Sequence, residues 1–395
     1  MRKFFRIENL TLIGVILGIL TGIYYPHFIE KTKILGDIFL ALLKMIIVPL
    51  VFTSVLVAVL ELEDIARFGG LGIKTMIYYL FSTGLAVITG LVLVSLIEPG
   101  KGEIIKTVVP KHVEVKNIGI GGLIWSFIPV NPVKSFVNGK VLQIIFFAIL
   151  LGLSAIALSK EKLKTFYSFF DTFNEALIVL TRWIIALTPV GVFSLVGYAV
   201  ARFGISVIFS LWKYALTVIL GLFIHAFLNL PFLGFILGRY NAYKYFIQVK
   251  EALLLAFSTA SSAATLPVSL KVSQEKGGVK KSVAGFILPL GATINMDGTA
   301  LYEAVAAVFI ANLFGIKLTF FQMITIFLTA TLASIGAAAI PGAGLVMLTL
   351  VLNSVGLPLQ GIGIIIAIDR FLDMIRTSVN VWSDLNGAKI LSYRI

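Results

Sequence analysis

The chain has 395 residues, only 13% of them charged, and a mean hydropathy of +1.03, which excludes a soluble globular domain with its usual quarter of charged residues. The net charge of +13 is spread over short segments, a pattern of membrane orientation and not of a nucleic-acid surface. There is no cysteine, so disulfides, thiolate metal sites and a cysteine nucleophile are excluded, and His27, His112 and His225 show no ligand spacing.

Apolar runs of about 20 residues predict spanning helices. They fall at 8–25, 37–60, 72–97, 119–158, 170–201, 206–237, 279–294, 298–314 and 358–388. The run at 119–158 is too long for one pass and is expected to be broken or doubled. The first run follows MRKFFR with no small-x-small cleavage site, so it reads as an uncleaved span with a cytoplasmic N-terminus. Arg67 and Lys74, then Lys160, Lys162 and Lys164, then Arg239, Lys244 and Lys250 mark the later cytoplasmic loops. The segment 98–117 is then external, although it carries several lysines.

Two further apolar segments are interrupted by small and turn-forming residues: 252–272 by STASSAATLP and 320–352 by ASIGAAAIPGAG. Each is long enough to enter the bilayer and return as a hairpin. Non-helical backbone at membrane depth persists only where protein covers it or a cavity lies beside it, and paired interruptions point to a transporter binding site. The plainer alternative is a pair of kinks. Between them, 291–299 reads GATINMDGT, where Asn295, Asp297 and Gly298 disfavour helix and predict an unwound turn. Freed carbonyls with one carboxylate suit a hard monovalent cation. The alternative is a glycine kink with Asp297 paired to a lysine, yet Lys280 and Lys281 lie at the expected cytoplasmic end.

The last run contains DRFLDMIRTSVNVWSD at 369–384. Asp369, Asp373, Arg376, Asn380 and Asp384 are spaced 4, 3, 4 and 4, so at roughly 100° per residue they form one narrow polar stripe. Ionisable groups inside a membrane mark a substrate or ion path. A buried helix with balanced charges is the alternative, but three acids and one arginine leave surplus negative charge for a cation.

NMDGT, SSAATLP, ASIGAAAIPGAG and DRFLDMIRTSVNVWSD, in this order, resemble the dicarboxylate/amino acid:cation symporter family, with its sodium-coupled aspartate transporters and animal glutamate transporters. The resemblance implies an all-α polytopic membrane protein with eight transmembrane helices, two re-entrant hairpins and an elevator mechanism. Residues 1–71 and 98–205 would form a trimerising scaffold, while 72–97 and 206–395 would move as the transport domain under an extracellular lid at the second hairpin. The implied substrate is L-aspartate or L-glutamate, co-transported with sodium across the cell membrane, with the lipid bilayer as surroundings and no nucleic-acid partner.

Residue by residue, the resemblance puts the substrate's side-chain carboxylate on Arg376, its amino group on Asp373, and its α-carboxylate on Asn380 and Ser262. Thr299 and Thr377 would add hydrogen bonds, and backbone at Ala260 and from Ile340 to Gly344 would close the pocket. A guanidinium fork does pair bidentately with a carboxylate. One implied sodium site joins Asp384 to carbonyls near Gly291, Asn295 and Asn380. A second takes Tyr79, Ser82, Thr83, Asn295 and Asp297. A third takes carbonyls of Thr293, Ser334, Ile335 and Ala337 with the sulfur of Met296. Taken alone, YYLFST around Tyr79 reads as an ordinary polar helix face.

Within the family it resembles, some archaeal members carry an arginine where this chain has Ala260 and animal members carry one where it has Met374, and this chain has neither. Arg370, roughly 100° from Asp369, either supplies that charge or snorkels to polar surroundings. Two rival functions remain open: a proton-coupled glutamate or dicarboxylate carrier, and an intramembrane hydrolase using a serine of 258–262 with an aspartate. Neither hairpin holds a histidine, and Lys271 sits too far along to serve as base.

Overall fold

The computed structural model describes residues 7–60, 70–102, 128–203, 206–336 and 342–393. All regular elements among them are helical. In chain order, α1 is Ile7–Tyr24, α2 Pro26–Leu60, α3 Gly70–Ile97, α4 Pro132–Val137, α5 Val141–Ile156, α6 Lys160–Ala186, α7 Thr188–Phe203 and α8 Ser206–Ile224. A π turn at His225–Asn229 leads to α9, Leu230–Gly238, and then come α10 Ala242–Thr259 and α11 Ser262–Glu275. α12 is Lys281–Ile294, α13 Asp297–Leu313, α14 Phe320–Ala333, α15 Ala343–Ser354 and α16 Ile362–Ser392. Among the basic residues expected to set orientation, Arg2, Lys3, Arg6 and Arg67 lie outside the described residues, as does most of the 98–117 segment.

Among the described residues, four helical stretches are long and apolar enough to cross a membrane: Pro26–Leu60, Gly70–Ile97, Leu211–Gly238 and Lys281–Leu313. α6 and α7 together make a fifth, bent by 50°. The apolar runs predict a single helix at 170–201. Instead the chain breaks around Leu187 and Pro189 into a pair of helices, because proline removes a backbone donor and clashes with the preceding turn. α2 likewise begins eleven residues before its predicted start, since Pro26 is tolerated in a first helical turn and Lys33 pairs with Asp37 at 3.7 Å one turn on.

α1, α2, α5, α6 and α7 pack on one another, while α3 and α8 to α16 pack around α16 and α13. The closest approach is a glycine seam between α1 and α7. A Cβ built on Gly14, Gly18 or Gly22 would lie 2.5, 2.7 or 2.6 Å from the carbonyl oxygens of Pro189, Phe193 and Gly197. Glycines four apart let two backbones touch where apolar lipid offers no hydrophobic drive to associate. Gly18→Leu is therefore expected to cost at least about 1–3 kcal/mol of overpacking, seen as a lower unfolding temperature in detergent. An unchanged temperature would show that the seam is loose.

The π turn follows from Pro231. Proline has no N–H to give the Phe227 carbonyl, and the turn before it widens so that the Leu230 N–H reaches back five residues to His225. The carbonyls left over are taken by side chains: Trp382 Nε1 donates to Ala226 at 2.9 Å and the Tyr243 hydroxyl to Phe227 at 2.8 Å.

Candidate functional site

α16 runs through the packing with α8, α9, α10, α11, α12 and α13 against it. Its stripe faces inward: Asp369, Asp373, Arg376, Thr377, Asn380, Ser383 and Asp384 are all buried. The helical period brings them together at three levels.

At the first level stands Arg376, fully buried. Its Nη2 donates to Asp373 Oδ1 at 2.9 Å and lies 3.1 Å from Asp369 Oδ1. The guanidinium carbon sits 3.7 Å from the centre of the Tyr302 ring on α13, a cation–π contact. Nε and Nη1 have no hydrogen-bond partner among the described residues. A Cβ on Gly344 would be 3.0 Å from Nη1, so the first turn of α15 closes directly over the guanidinium. The Gly342 N–H donates to Asp373 Oδ2 at 3.1 Å and ties the second hairpin to α16. Arg370 turns toward the same carboxylate, with Nη1 3.7 Å from Asp373 Oδ2.

At the second level Asn380 holds the start of α13. Its Oδ1 accepts the Gly298 N–H at 2.8 Å and its Nδ2 donates to Thr299 Oγ1 at 3.2 Å. A Cβ on Gly298 would lie 2.8 Å from the Arg376 carbonyl oxygen, so only glycine lets α13 abut α16. Ser262 is buried in the first turn of α11, just past the tip of the first hairpin. At that tip Ala260 adopts φ 48° and ψ 40°. A left-handed non-glycine residue costs roughly 1–2 kcal/mol and is held only by firm surroundings.

The third level is a buried network of oxygens. α12 ends at Ile294, Asn295 is extended, Met296 is non-helical, and α13 begins at Asp297, so the NMDGT break is where the sequence puts it. Asp297 Oδ1 accepts from Thr83 Oγ1 at 2.6 Å and from Ser82 Oγ at 3.3 Å. The same two hydroxyls lie 3.4 and 3.5 Å from Asn295 Oδ1. Asn295 Nδ2 donates to Asp384 Oδ1 at 2.9 Å and to Ser383 Oγ at 3.0 Å. Ser383 Oγ in turn donates to Asp297 Oδ2 at 2.7 Å. The Tyr79 carbonyl accepts from Ser82 Oγ at 3.2 Å, while the Tyr79 hydroxyl donates to the Ile287 carbonyl at 2.8 Å and stands beside Gly291 and Asp384. A Cβ on Gly291 would be 2.5 Å from that hydroxyl.

The donor set is all oxygen, with two carboxylates, which fits a hard cation of low charge better than a transition metal. No cluster of three or more His, Cys, Asp or Glu side chains that could hold a metal ion occurs among the described residues. Of the third implied set, Met296 is buried at the break, while the Thr293 side chain is exposed and its hydroxyl donates to Leu290 O at 2.9 Å. Ser334 and Ile335 lie in a 3₁₀ turn packed against α12 and α13. Ala337 and Ile340 lie outside the described residues.

A family model described as "Sodium:dicarboxylate symporter family" matches residues 8–393. The chain belongs to this symporter family. It is 36% identical over 391 residues to the proton/sodium-glutamate symport protein of Geobacillus stearothermophilus, covering 96% of this chain and 92% of the relative. It is 37% identical over 391 residues to the proton/glutamate-aspartate symporter of Escherichia coli K12, covering 94% and 88%. Against excitatory amino acid transporter 2 of Homo sapiens it is 36% identical over 448 residues, covering 97% and 78%. The symporter is thus a transporter and not an enzyme, and the serine-hydrolase reading falls.

The symporter's site has members that sequence spacing did not reveal. His225, Ser383 and Tyr302 join it from three different helical segments, and Glu303 is fully buried one residue after Tyr302. His225 had one usable signal, an ionisable ring inside an apolar span. Its partner Asp297 is 72 residues away, beyond the reach of any spacing rule.

Proposed function

We propose that the protein carries an acidic amino acid, aspartate or glutamate, into the cell together with sodium ions. The observation that carries this reading is Arg376: a fully buried guanidinium with two nitrogens lacking partners among the described residues, next to Asp373 and under the second hairpin. An unpaired buried donor costs about 1–3 kcal/mol, which a substrate carboxylate would recover by forked pairing while Asp373 takes the amino group. Asn380 and Ser262 then hold the α-carboxylate, with Thr299 and Thr377 beside them. Asp297, Asp384, Asn295, Ser82, Thr83 and the carbonyls freed at the 295–296 break supply sodium ligands. The names of the bacterial and animal relatives, which specify glutamate, aspartate or excitatory amino acids, support the substrate class.

In this reading the chain makes eight transmembrane helices and two re-entrant hairpins in the cell membrane, with a cytoplasmic N-terminus. Residues 1–71 and 98–205 form a trimer scaffold, and 72–97 with 206–395 move as an elevator. The division is supported by the packing of α1, α2, α5, α6 and α7 on one another, with α7 and α2 meeting the second group at α16 and α15. Uptake of labelled aspartate, glutamate and succinate into proteoliposomes tests it, with accumulation of the amino acids expected only under an inward sodium gradient. Uptake driven by a pH gradient alone would decide for proton coupling. That second reading is favoured by Glu303, whose two buried carboxylate oxygens have no hydrogen-bond partner among the described residues, a costly place for a lasting charge.

Arg370 is assigned here to charge compensation at Asp373 and not to snorkelling, on the strength of its 3.7 Å approach. A pair at that distance and exposure is worth about 1 kcal/mol or less. Arg370→Ala should weaken aspartate binding by about fivefold at most and leave the required cation unchanged. Equal affinity in the variant would return Arg370 to a snorkelling role.

A further inference from the structure

His225 is fully buried on the π turn, and its Nε2 lies 3.0 Å from Asp297 Oδ2. On the other side of the ring, Nδ1 lies 3.3 Å from Asn229 Nδ2, which also donates to Thr89 Oγ1 at 2.8 Å. Thr89 spends its own proton on the Leu85 carbonyl, again at 2.8 Å. With a neutral ring, these contacts give a single direction of donation. A carboxylate oxygen only accepts, so Nε2 carries the proton. In the neutral ring Nδ1 is then bare and needs a donor, which is the Asn229 amide N–H. The second N–H of that amide needs an acceptor, and Thr89 Oγ1 is one because its proton is already used. The opposite amide orientation would leave a bare Nε2 against a carboxylate.

The effect falls on Asp297. Its Oδ2 is held by two donors, His225 and Ser383, while Oδ1 faces Ser82, Thr83 and Asn295 Oδ1. We infer that His225 is a positioning residue for the cation site: through its Nε2–H it holds one oxygen of Asp297 so that the other faces the hydroxyls of α3. The π turn is what allows this. It places His225 and Asn229 on the same side of the span, and Thr89 on α3 anchors the far end of the relay, on the helix that also supplies Ser82 and Thr83. α3 is thereby registered against Asp297 twice, directly through Thr83 and indirectly through Thr89, Asn229 and His225. Hydrogen bonds from behind a ligating carboxylate set its orientation toward the ion. The inference rests on the reading of Asp297 as a cation ligand.

The test uses purified full-length protein, titrated with sodium chloride and separately with lithium chloride while the thermal unfolding midpoint is followed. Aspartate affinity is measured at saturating sodium. His225→Leu should raise the half-saturating sodium concentration about tenfold, as expected for one lost hydrogen bond to a charged group, and should alter the sodium-to-lithium preference. Aspartate affinity, read at saturating sodium, should fall by less than the sodium affinity does. His225→Gln, which offers both a donor and an acceptor, should restore sodium dependence to within about threefold. An unchanged sodium dependence in the leucine variant overturns the inference, and so does a glutamine variant no better than leucine, which would mark ring packing alone. Should His225→Leu not fold, Asn229→Leu decides: the ring stays, its tautomer is released, and half-saturating sodium must rise or the inference fails. Asp297→Asn separates the two layers. If that variant keeps the parent's sodium dependence, the reading of Asp297 itself is wrong. If it loses sodium dependence while His225→Leu does not, only the role of His225 falls.

Discussion

Arg376→Ala is expected to weaken aspartate and glutamate binding by about a hundredfold or more, the equivalent of roughly 2.8 kcal/mol. Three contacts vanish together: the bond to Asp373, the ion pair with Asp369 and the stack on Tyr302. The substitution also leaves two buried carboxylates facing any incoming acid, so repulsion adds to the lost attraction. Small neutral amino acids, which ask nothing of the guanidinium, should gain relative to aspartate. Arg376→Lys should fall between, since an ammonium supplies a point charge without the planar fork. Calorimetric titration with aspartate, glutamate and serine checks the order. Aspartate binding within about tenfold of the parent, or roughly 1.4 kcal/mol, would remove Arg376 from the substrate site.

Asp384→Asn is expected to flatten the dependence of substrate binding on sodium. The change is nearly isosteric, and the amide oxygen can still accept from Asn295 Nδ2, so the local geometry is kept while one charge is lost. A cation's attraction to a buried carboxylate is strong because the surrounding dielectric is low. The half-saturating sodium concentration should therefore rise by at least about tenfold. Gly291→Ala offers a steric counterpart, because its methyl group would intrude on both Asp384 and the Tyr79 hydroxyl. Aspartate binding measured from zero to molar sodium, at constant ionic strength, reads both variants. A curve as steep as the parent's for Asp384→Asn would place the cation elsewhere.

Much of the site was legible in the sequence, and for a definite reason. The stripe on α16 repeats at the helical period, so Asp369, Asp373, Arg376, Asn380 and Asp384 were bound to share a face. The break at 295–296 was legible because Asn, Asp and Gly together resist helix in an apolar setting. Tertiary partners were not legible. Tyr302 reaches Arg376 and His225 reaches Asp297 only because α13 packs on α16 and the π turn rotates the ring inward. The bend between α6 and α7 had a signal in Pro189, but an unbroken apolar run concealed it. The glycine seam of α1 is spaced for close packing, yet only the opposing backbone of α7 gives the spacing meaning.

The π turn also bears on how chain length can drift within a spanning helix. A turn closed five residues back holds one residue more than a regular α-turn. Deleting one residue from 225–229 would press the segment toward a regular α-turn, which Pro231 resists because it has no N–H for the carbonyl four residues back. The histidine would be turned off the carboxylate it now touches, so the extra residue that accommodates the proline is also the one that aims the ring.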